Sequence, residues 1–366
     1  MMNASPRASV ALAVYNGEPY LEASVDSILS QDFTDFEFII IDDGSTDGTK
    51  TLLERKAAQD PRIRLFFQAN AGQTPSLNRG LSLARAPLIA RQDADDLSLP
   101  GRLGRQVERM EGDPGIVLCS THLRFIDGSG AFLYDQCRSP DDPAWWLHFA
   151  NHLGGHSQVM MRREAIAAVD GYDESIRHTQ DYDLWLRLLP RGRIVVIPEV
   201  LLAYRLHAGS MSHARREAQQ AEHEAILQGF LSHHYGIEAT SELKELIRLF
   251  NYGWPAEKRV DVRRNLGVIN GYLWRVCRAY LGTLAPNERP ATESRIRRAI
   301  ANRHWEVLVS IHDGHRDTLP FRDILRTAWL AGQWHPLHAL RTLKWFLSRG
   351  RRFANREAFQ GAEVSS

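Results

Sequence analysis

Cysteine is scarce in this chain: the 366 residues hold three, Cys119, Cys137 and Cys277, far apart and with no CxxC pair. That odd, scattered set excludes a disulfide framework and a zinc knuckle, and a reducing compartment is the expectation that follows. Long apolar runs are missing too. No window approaches the roughly 18 consecutive apolar residues of a membrane-spanning helix, and the opening MMNASPRASVALAVYNGE has no charged stretch ahead of a long apolar core. Neither an ordinary secretory signal nor a membrane span is expected. The glycine-rich phosphate cradles are also absent. Ala13-Val14-Tyr15-Asn16-Gly17-Glu18 offers a single glycine where a dinucleotide-binding GxGxxG would fall, and GxxxxGK[ST] occurs nowhere. A diphosphate bound here would have to be held by a metal instead.

What is present is the composition of a folded globular chain, with 43% hydrophobic and 24% charged residues, 26 Gly and 16 Pro. Such a mixture excludes extensive disorder and a collagen-like chain. The length predicts two domains and a core large enough for an enzyme. A net charge of +1 conceals an asymmetry: residues 1–213 carry 21 basic and 28 acidic side chains, net −7, and residues 214–366 carry 24 and 16, net +8. A basic C-terminal half faces something anionic, whether a membrane surface, nucleic acid or the acidic half of its own chain.

The first hundred residues alternate apolar runs with helical patterns. SVALAV at 9–14 and FEFIII at 36–41 are too uniformly apolar for one-sided strands, and 62–67 and 88–90 continue the series. Helices are predicted at 20–30, at about 47–59 behind Ser45 or Asp47 and before Asp60-Pro61, and at 75–84. This rhythm implies right-handed βαβ crossovers, a mostly parallel sheet covered on both faces, and a ligand crevice at the carboxyl ends of its strands. A helix at 102–110 and a strand at 116–120 follow. The rhythm then breaks between Thr121 and Arg138, where Asp127-Gly128-Ser129-Gly130 reads as a hairpin turn. It resumes with strands at 157–161, 194–197 and 201–204 and a helix at 183–189. Beyond 215 the pattern is helical, at about 215–234, 240–251, 257–282, 291–310, 320–332 and 337–348, so the domain boundary is placed near 213.

Two acidic clusters end two neighbouring apolar runs: Asp42-Asp43 after FEFIII, and Asp93, Asp95 and Asp96 after LIARQ. Carboxylates gathered at strand ends repel one another unless a cation or ligand donors relieve them. Alternate aspartates with few other protein ligands suit Mg²⁺ or Mn²⁺ shared with a diphosphate. The competing reading of either cluster is a turn that caps the helix behind it.

In order and spacing, SVALAVYNGEPYLEASVDSILSQDFTDFEFIIIDDGSTDGT at 9–49 and RIRLFFQANAGQTPSLNRGLSLARAPLIARQDADD at 62–96, then GYDE at 171–174, QDYDLWLR at 180–187 and YRLHAGSMS at 204–212, resemble the inverting family 2 glycosyltransferases. The likeness spans residues 8–213. It implies an α/β GT-A fold, a Rossmann-like mostly parallel sheet with helices on both faces, as a nucleotide-sugar-binding and catalytic domain over 1–213. A mainly helical, net basic C-terminal domain over 214–366 would follow. Carried over by position, Tyr15 stacks on the nucleotide base and Asp43 hydrogen-bonds to it. Asp93 and Asp95 match the DXD motif, the first near the ribose and metal shell and the second ligating the metal on the diphosphate, with Asp96 as a supporting acid. His207 completes the metal or diphosphate shell. The implied cofactor is Mn²⁺ or Mg²⁺. The implied partners are a nucleoside-diphosphate sugar, expected to be a UDP-sugar, and a saccharide or lipid-linked acceptor in cell-surface polysaccharide or glycolipid synthesis, with no nucleic acid.

Inverting transfer needs one further group, a base that takes the proton of the acceptor hydroxyl as the diphosphate departs. Asp181 matches the family's base, with Asp183 as its competitor and an N-cap as its non-catalytic alternative. Gln180 stands where the family usually has Glu. His156 and Asn78 are read first as structural. Two other functions share this architecture: a metal-dependent nucleotidyltransferase, against which the Asp181 and His207 motifs speak, and a catalytically silent nucleotide-sugar-binding protein, to which Gln180 lends support. Processive synthases of the family carry QxxRW and membrane helices; this sequence has neither, which implies addition of one or few sugars. In the tail, Leu337, Leu340, Leu343 and Leu347 form a stripe flanked by Trp345 and Phe346, with Arg341, Lys344, Arg349, Arg351 and Arg352 beside it. That pattern suits a helix at an anionic membrane surface, or one packed on the catalytic domain. The expected location is cytoplasmic, peripheral on the inner face of the cell membrane.

Overall fold

A computed structural model of the chain describes residues 5–137, 142–207, 216–240, 244, 259–312, 329–330 and 332–335. The chain divides into two compact units, Met1–Phe230 and Leu231–Ser366. The first opens with β1 (Ala8–Val14), α1 (Glu18–Leu29), β2 (Phe36–Asp42), α2 (Thr49–Gln59), β3 (Ile63–Phe67), α3 (Gln73–Leu83) and β4 (Leu88–Arg91), the predicted alternation. Next come β5 (Leu97–Ser98), α4 (Arg102–Glu111) and β6 (Ile116–Ile126), which turns back into β7 (Phe132–Gln136). Then α5 (Pro143–Leu147), β8 (Met160–Arg162), α6 (Arg163–Ala167), α7 (Gln180–Leu188), β9 (Arg193–Arg205) and α8 (Arg216–Tyr235) follow.

Nine strands form one mixed sheet in the order β3-β2-β1-β4-β8-β6-β9-β5, with β7 paired to β6 off this path. β1 to β4 run parallel, as do β6 and β9, whereas β8 is antiparallel to both β4 and β6. All seven residues of β2 are buried because helices cover both faces, so its sequence is continuously apolar rather than alternating. The exceptions are Asp42 at its end and Glu37, whose buried carboxylate accepts from Ser9 Oγ at 2.6 Å, Arg64 at 2.6 Å, and the side chain and N–H of Arg85 at 2.8 and 2.7 Å. With every oxygen occupied, its charge is tolerable in the sheet. Val10, Leu12, Phe38 and Ile40 pack against Leu21, Val25 and Ile28 of α1 in the main core. Gly44 ends β2 at φ +78°, and a Cβ there would lie 2.9 Å from the Asn70 nitrogen, so both conformation and space demand glycine.

Two expectations change in detail. The strand predicted at 157–161 forms later and shorter, as β8, because Ser157 and Gln158 turn their side chains to Asp93 and Ser120. The two strands predicted at 194–197 and 201–204 are one strand, β9. Its partners step from Thr121↔Ile197 to His122↔Val200, leaving Pro198 and Glu199 out of the ladder. Proline has no N–H to donate, so the break falls there.

The first unit continues past 213 into α8. In the second unit, α9 (Arg259–Thr283) and α10 (Arg289–His312) bury Ile269, Leu273, Val276, Ile296 and Ile300. Trp274 stacks on the buried Trp334 at 3.8 Å, and Asn270 holds Gln333 at 2.9 Å. The helices predicted at 240–251, 320–332 and 337–348 fall outside the described residues except at Thr240, Lys244, Trp329, Leu330 and Gly332, and the leucine stripe at 337–347 lies outside them altogether. Among the described residues no helix is long and apolar enough to cross a membrane. All three cysteines are free, and burial pushes the Cys119 and Cys277 thiols up to about 12.

Candidate active site

Parallel strands that end together bring their following loops together, and the first unit uses this at the carboxyl ends of β1, β2 and β4. Tyr15 stands there 52% exposed, just past β1. Asp43 follows β2, where its N–H donates to Val14 O at 2.8 Å. Its buried carboxylate accepts from Gln68 Nε2 at 2.7 Å and from the N–H groups of Ala71 and Gly72 at 2.9 and 2.8 Å. Three of about four lone-pair sites are therefore spent on fixing the loop into α3, leaving one for a ligand.

β4 delivers the acidic loop. Gln92 N–H still pairs with Ala11 O at 3.1 Å, after which the chain leaves the sheet. Beneath the loop lie two buried guanidinium groups, Arg91 and Arg102. Arg102, from α4, donates to Gln92 Oε1 at 2.9 Å, Ser98 Oγ at 2.7 Å and Arg91 O at 2.7 Å. Burial lowers its pKa to about 9 against the raising pull of Asp96. Arg91 pairs with Asp93, which also accepts from Ser157 Oγ at 2.9 Å. Burial, the largest single effect, would raise Asp93, but the Arg91 charge, His156 and the hydrogen bonds from Ser157 and Arg91 together hold the carboxyl below its usual range. Asp95 is raised, first by burial and then by Asp93. Asp96, 1% exposed, is driven well above the ordinary range by burial and by both neighbours. Its Oδ1 accepts from Arg205 N–H at 3.0 Å, and among the described residues its Oδ2 has no hydrogen-bond partner. Three carboxyls so close repel one another, and a divalent cation would relieve them further than the guanidinium groups do.

His207, just past β9, completes this cluster, its Nε2 3.0 Å from Asp95 Oδ2 and its ring 4.8 Å from that of Tyr20. Arg205 lies 4.7 Å over the Tyr20 ring and donates to Asp95 O at 2.9 Å and Gly128 O at 3.2 Å, tying the β6–β7 turn to the acidic loop. Two ligands set at right angles on an ion at about 2.1 Å are about 3.0 Å apart, so the Asp95–His207 pair fits Mn²⁺ or Mg²⁺. Among the described residues no group of three or more His, Cys, Asp or Glu side chains is placed to hold an ion.

Asp181 lies in the first turn of α7. The N-cap position belongs to Thr179, so capping in that sense is not the role of Asp181. Its Oδ1 accepts from Tyr182 N–H at 2.7 Å and its Oδ2 from Asn151 Nδ2 at 3.1 Å. Burial, opposed by the Tyr182 hydrogen bond and helped by the Asp93 charge, raises its pKa to about 6. A carboxyl poised there can take a proton near neutral pH. Gln180 donates to Gln73 Oε1 at 3.0 Å, joining α7 to the start of α3.

Other sequence candidates have structural partners. Asp183 is paired with Arg187, which also donates to Val169 O and Gly171 O at 2.5 and 2.8 Å, so this acid fastens α7 to the preceding turn. His156 is buried at 2.6 Å from the Tyr172 hydroxyl, and burial lowers its pKa to about 3. Asn78 clamps the 172–174 turn, donating to Tyr172 O and Glu174 at 2.9 Å each and accepting from Tyr172 N–H at 2.9 Å. Sequence reading misses Arg91, Arg102, Ser157, Arg205 and Asn151, because an isolated arginine or serine carries no periodic or motif signal.

Comparison with known proteins gives a consistent picture. The family model described as Glycosyl transferase family 2 matches residues 9–168. The Putative glycosyltransferase EpsE of Bacillus subtilis (strain 168) is 36% identical over 235 residues, covering 62% of this chain and 82% of that protein. Among solved structures, the Mannosyltransferase PcManGT from Pyrobaculum calidifontis in complex with GDP-Man and Mn²⁺ superposes with a TM-score of 0.51 at 17% identity, covering 76% of this chain and 88% of that one. S. aureus TarS 1-349 in complex with UDP-GlcNAc superposes with a TM-score of 0.50 at 17% identity, covering 86% of this chain and 94% of that one.

Proposed function

The chain belongs to glycosyl transferase family 2 and is a glycosyltransferase; from that premise we propose that it moves a sugar from a nucleoside-diphosphate donor, expected to be a UDP-sugar, to an acceptor hydroxyl with inversion. The observation that carries this reading is the presence of two kinds of carboxyl within electrostatic reach of each other. Asp95 pairs with His207 at 3.0 Å, while Asp181, raised to about 6, is close enough to Asp93 for that charge to add to its rise.

In this reading Tyr15 offers its exposed ring to the nucleotide base, and the remaining acceptor site of Asp43 takes a base N–H. Asp95 and His207 hold Mn²⁺ or Mg²⁺, which when bound offsets the charge of the departing diphosphate. Arg91 and Ser157 fix Asp93 beside them, and Arg205 keeps the loop in place. Asp181, aligned by Asn151 and by the Tyr182 N–H, takes the proton of the attacking hydroxyl. The GDP-Man and UDP-GlcNAc complexes of the two structural neighbours support a nucleotide-sugar donor, and the Mn²⁺ of the first supports a divalent ion. We assign the acceptor to the saccharide or lipid-linked class, and the basic C-terminal stretch to a peripheral site at an anionic membrane on the cytoplasmic side.

The test is nucleotide release from UDP-GlcNAc and GDP-Man with Mn²⁺, for the parent and for Asp181→Asn. Release of nucleoside diphosphate that is lost in the variant, with donor binding retained, is the expected result. Pyrophosphate as product would indicate nucleotidyl transfer, and donor binding without turnover would indicate a silent binding protein.

A further inference from the structure

The turn that leads into α7 depends on a residue far along the chain. Glu222 of α8 accepts four hydrogen bonds from it: Oε1 from Arg177 N–H at 3.0 Å, and Oε2 from His178 N–H, Thr179 N–H and Thr179 Oγ1 at 2.8 Å each. Successive backbone N–H groups facing one carboxylate form an anion-binding concavity, here filled from within the same unit. The contact is not isolated. Gln219, Glu222 and His223 lie three and four residues apart on one face of α8. Gln219 Nε2 reaches His178 O at 3.4 Å, and the His223 ring stacks on Tyr182 at 4.2 Å with 10° between planes. Tyr182 in turn donates its hydroxyl to Leu147 O at 2.6 Å. The two residues that bracket Asp181, Gln180 behind the Thr179 turn and Tyr182 ahead, are thereby held from α3, α5 and α8 together.

We propose that Glu222 is a positioning residue for transfer: by closing the turn at 177–179, it sets where α7 begins and so where Asp181 stands. The proposal rests on Asp181 being the base. Glu222 touches neither donor nor metal ligands, and the donor-facing residues Tyr15, Asp43, Asp95 and His207 are carried by other elements. Loss of the carboxylate frees three N–H groups at the entry to α7 and lets its first turn shift. Misplacement of a reacting group by about 1 Å costs up to about 10²-fold in rate.

The experiment uses the full chain with Glu222→Ala and Glu222→Gln, beside Asp181→Asn, measuring Mn²⁺-dependent turnover of UDP-GlcNAc and GDP-Man, donor affinity and melting temperature. Glu222→Ala is expected to lower kcat roughly 10- to 100-fold while donor affinity stays at the parent's value. Glu222→Gln keeps one carbonyl facing the His178 and Thr179 N–H groups and is expected to recover most of the rate. Should Glu222→Ala melt too low to assay, Glu222→Gln decides: a kcat below the parent's with parental affinity supports the proposal, and a fully parental kcat overturns it. Parental kcat in Glu222→Ala, or donor affinity lost in step with kcat in either variant, overturns it. An active Asp181→Asn would instead overturn the base assignment, whatever the Glu222 variants do.

Discussion

Replacing Asp181 with Asn separates a catalytic carboxylate from a structural one, because the two roles predict opposite changes in stability. The Asp181 carboxyl rises from its ordinary 3.8 to about 6. A rise of that size makes the ionised form in the folded state costlier by about 3 kcal/mol. The sign follows from linkage. An acid whose pKa is raised by folding subtracts from stability above its folded pKa, and the penalty fades as pH falls through about 6 towards 3.8. Asparagine removes the charge but cannot accept on both atoms. Either the Tyr182 N–H at 2.7 Å or the Asn151 amide at 3.1 Å then faces an NH₂ group, a loss of about 1–1.5 kcal/mol. The balance is a gain of about 1–2 kcal/mol, or roughly 2–8 °C for a unit of this size. Thermal unfolding of parent and variant from pH 8 to pH 4.5 measures it. The variant should melt higher at pH 8, with the advantage shrinking towards pH 4.5, while transfer falls by about 10²–10⁴-fold. In the parent, transfer should decline as pH drops through about 6, where Asp181 takes up a proton. A variant that melts lower at pH 8 would refute the reasoning, since Asp181 would then be supporting the fold.

Asp95→Asn should abolish Mn²⁺-dependent donor binding by calorimetry and leave the melting temperature nearly unchanged, because its carboxylate serves a ligand; metal-dependent binding at parental strength would remove Asp95 from the site. Asp183→Asn should preserve turnover per folded molecule and change the melting temperature little, since burial raises this carboxyl despite its Arg187 partner and the lost ion pair is offset by the relieved charge; a loss of turnover comparable to that of Asp181→Asn would make Asp183 the base. The full chain should co-sediment with anionic vesicles at low salt and be released at high salt, each basic residue near the surface contributing about 1 kcal/mol. Absence of binding at low salt would eliminate the membrane role of the stretch at 337–352.

How much of this was legible in the sequence differs between elements for physical reasons. β1, β2 and β4 and their helices were readable because strands buried on both faces are largely apolar, and the ends of β1 to β4 are punctuated by Asp, Gly and Pro. β8 was misplaced because three residues are too few to carry a period, and β9 was split in two because Pro198 looks like an ending when it is a bulge. The acidic loop announced itself by clustering, but its support did not: Arg91 and Arg102 are charged residues fully buried in elements that otherwise read as sheet and helix. Asp181 and Asp183 share the first turn of one helix and equal chemistry in the sequence. Only contacts distinguish them, since Arg187 lies one turn beyond Asp183 and on its side. Glu222 sits in the polar run REAQQAEHE, where nothing marks one glutamate from the next.

Inverting transfer from a nucleotide sugar fixes the anomer of the first-formed product. Proton NMR of the full chain with UDP-GlcNAc or GDP-Man and Mn²⁺, recorded before the released sugar mutarotates, identifies that anomer. Nucleoside diphosphate together with the β anomer from an α-linked donor is the expected result, because water or acceptor activated by Asp181 attacks from the face opposite the diphosphate. Release of the α anomer, or of pyrophosphate in place of nucleoside diphosphate, would contradict it.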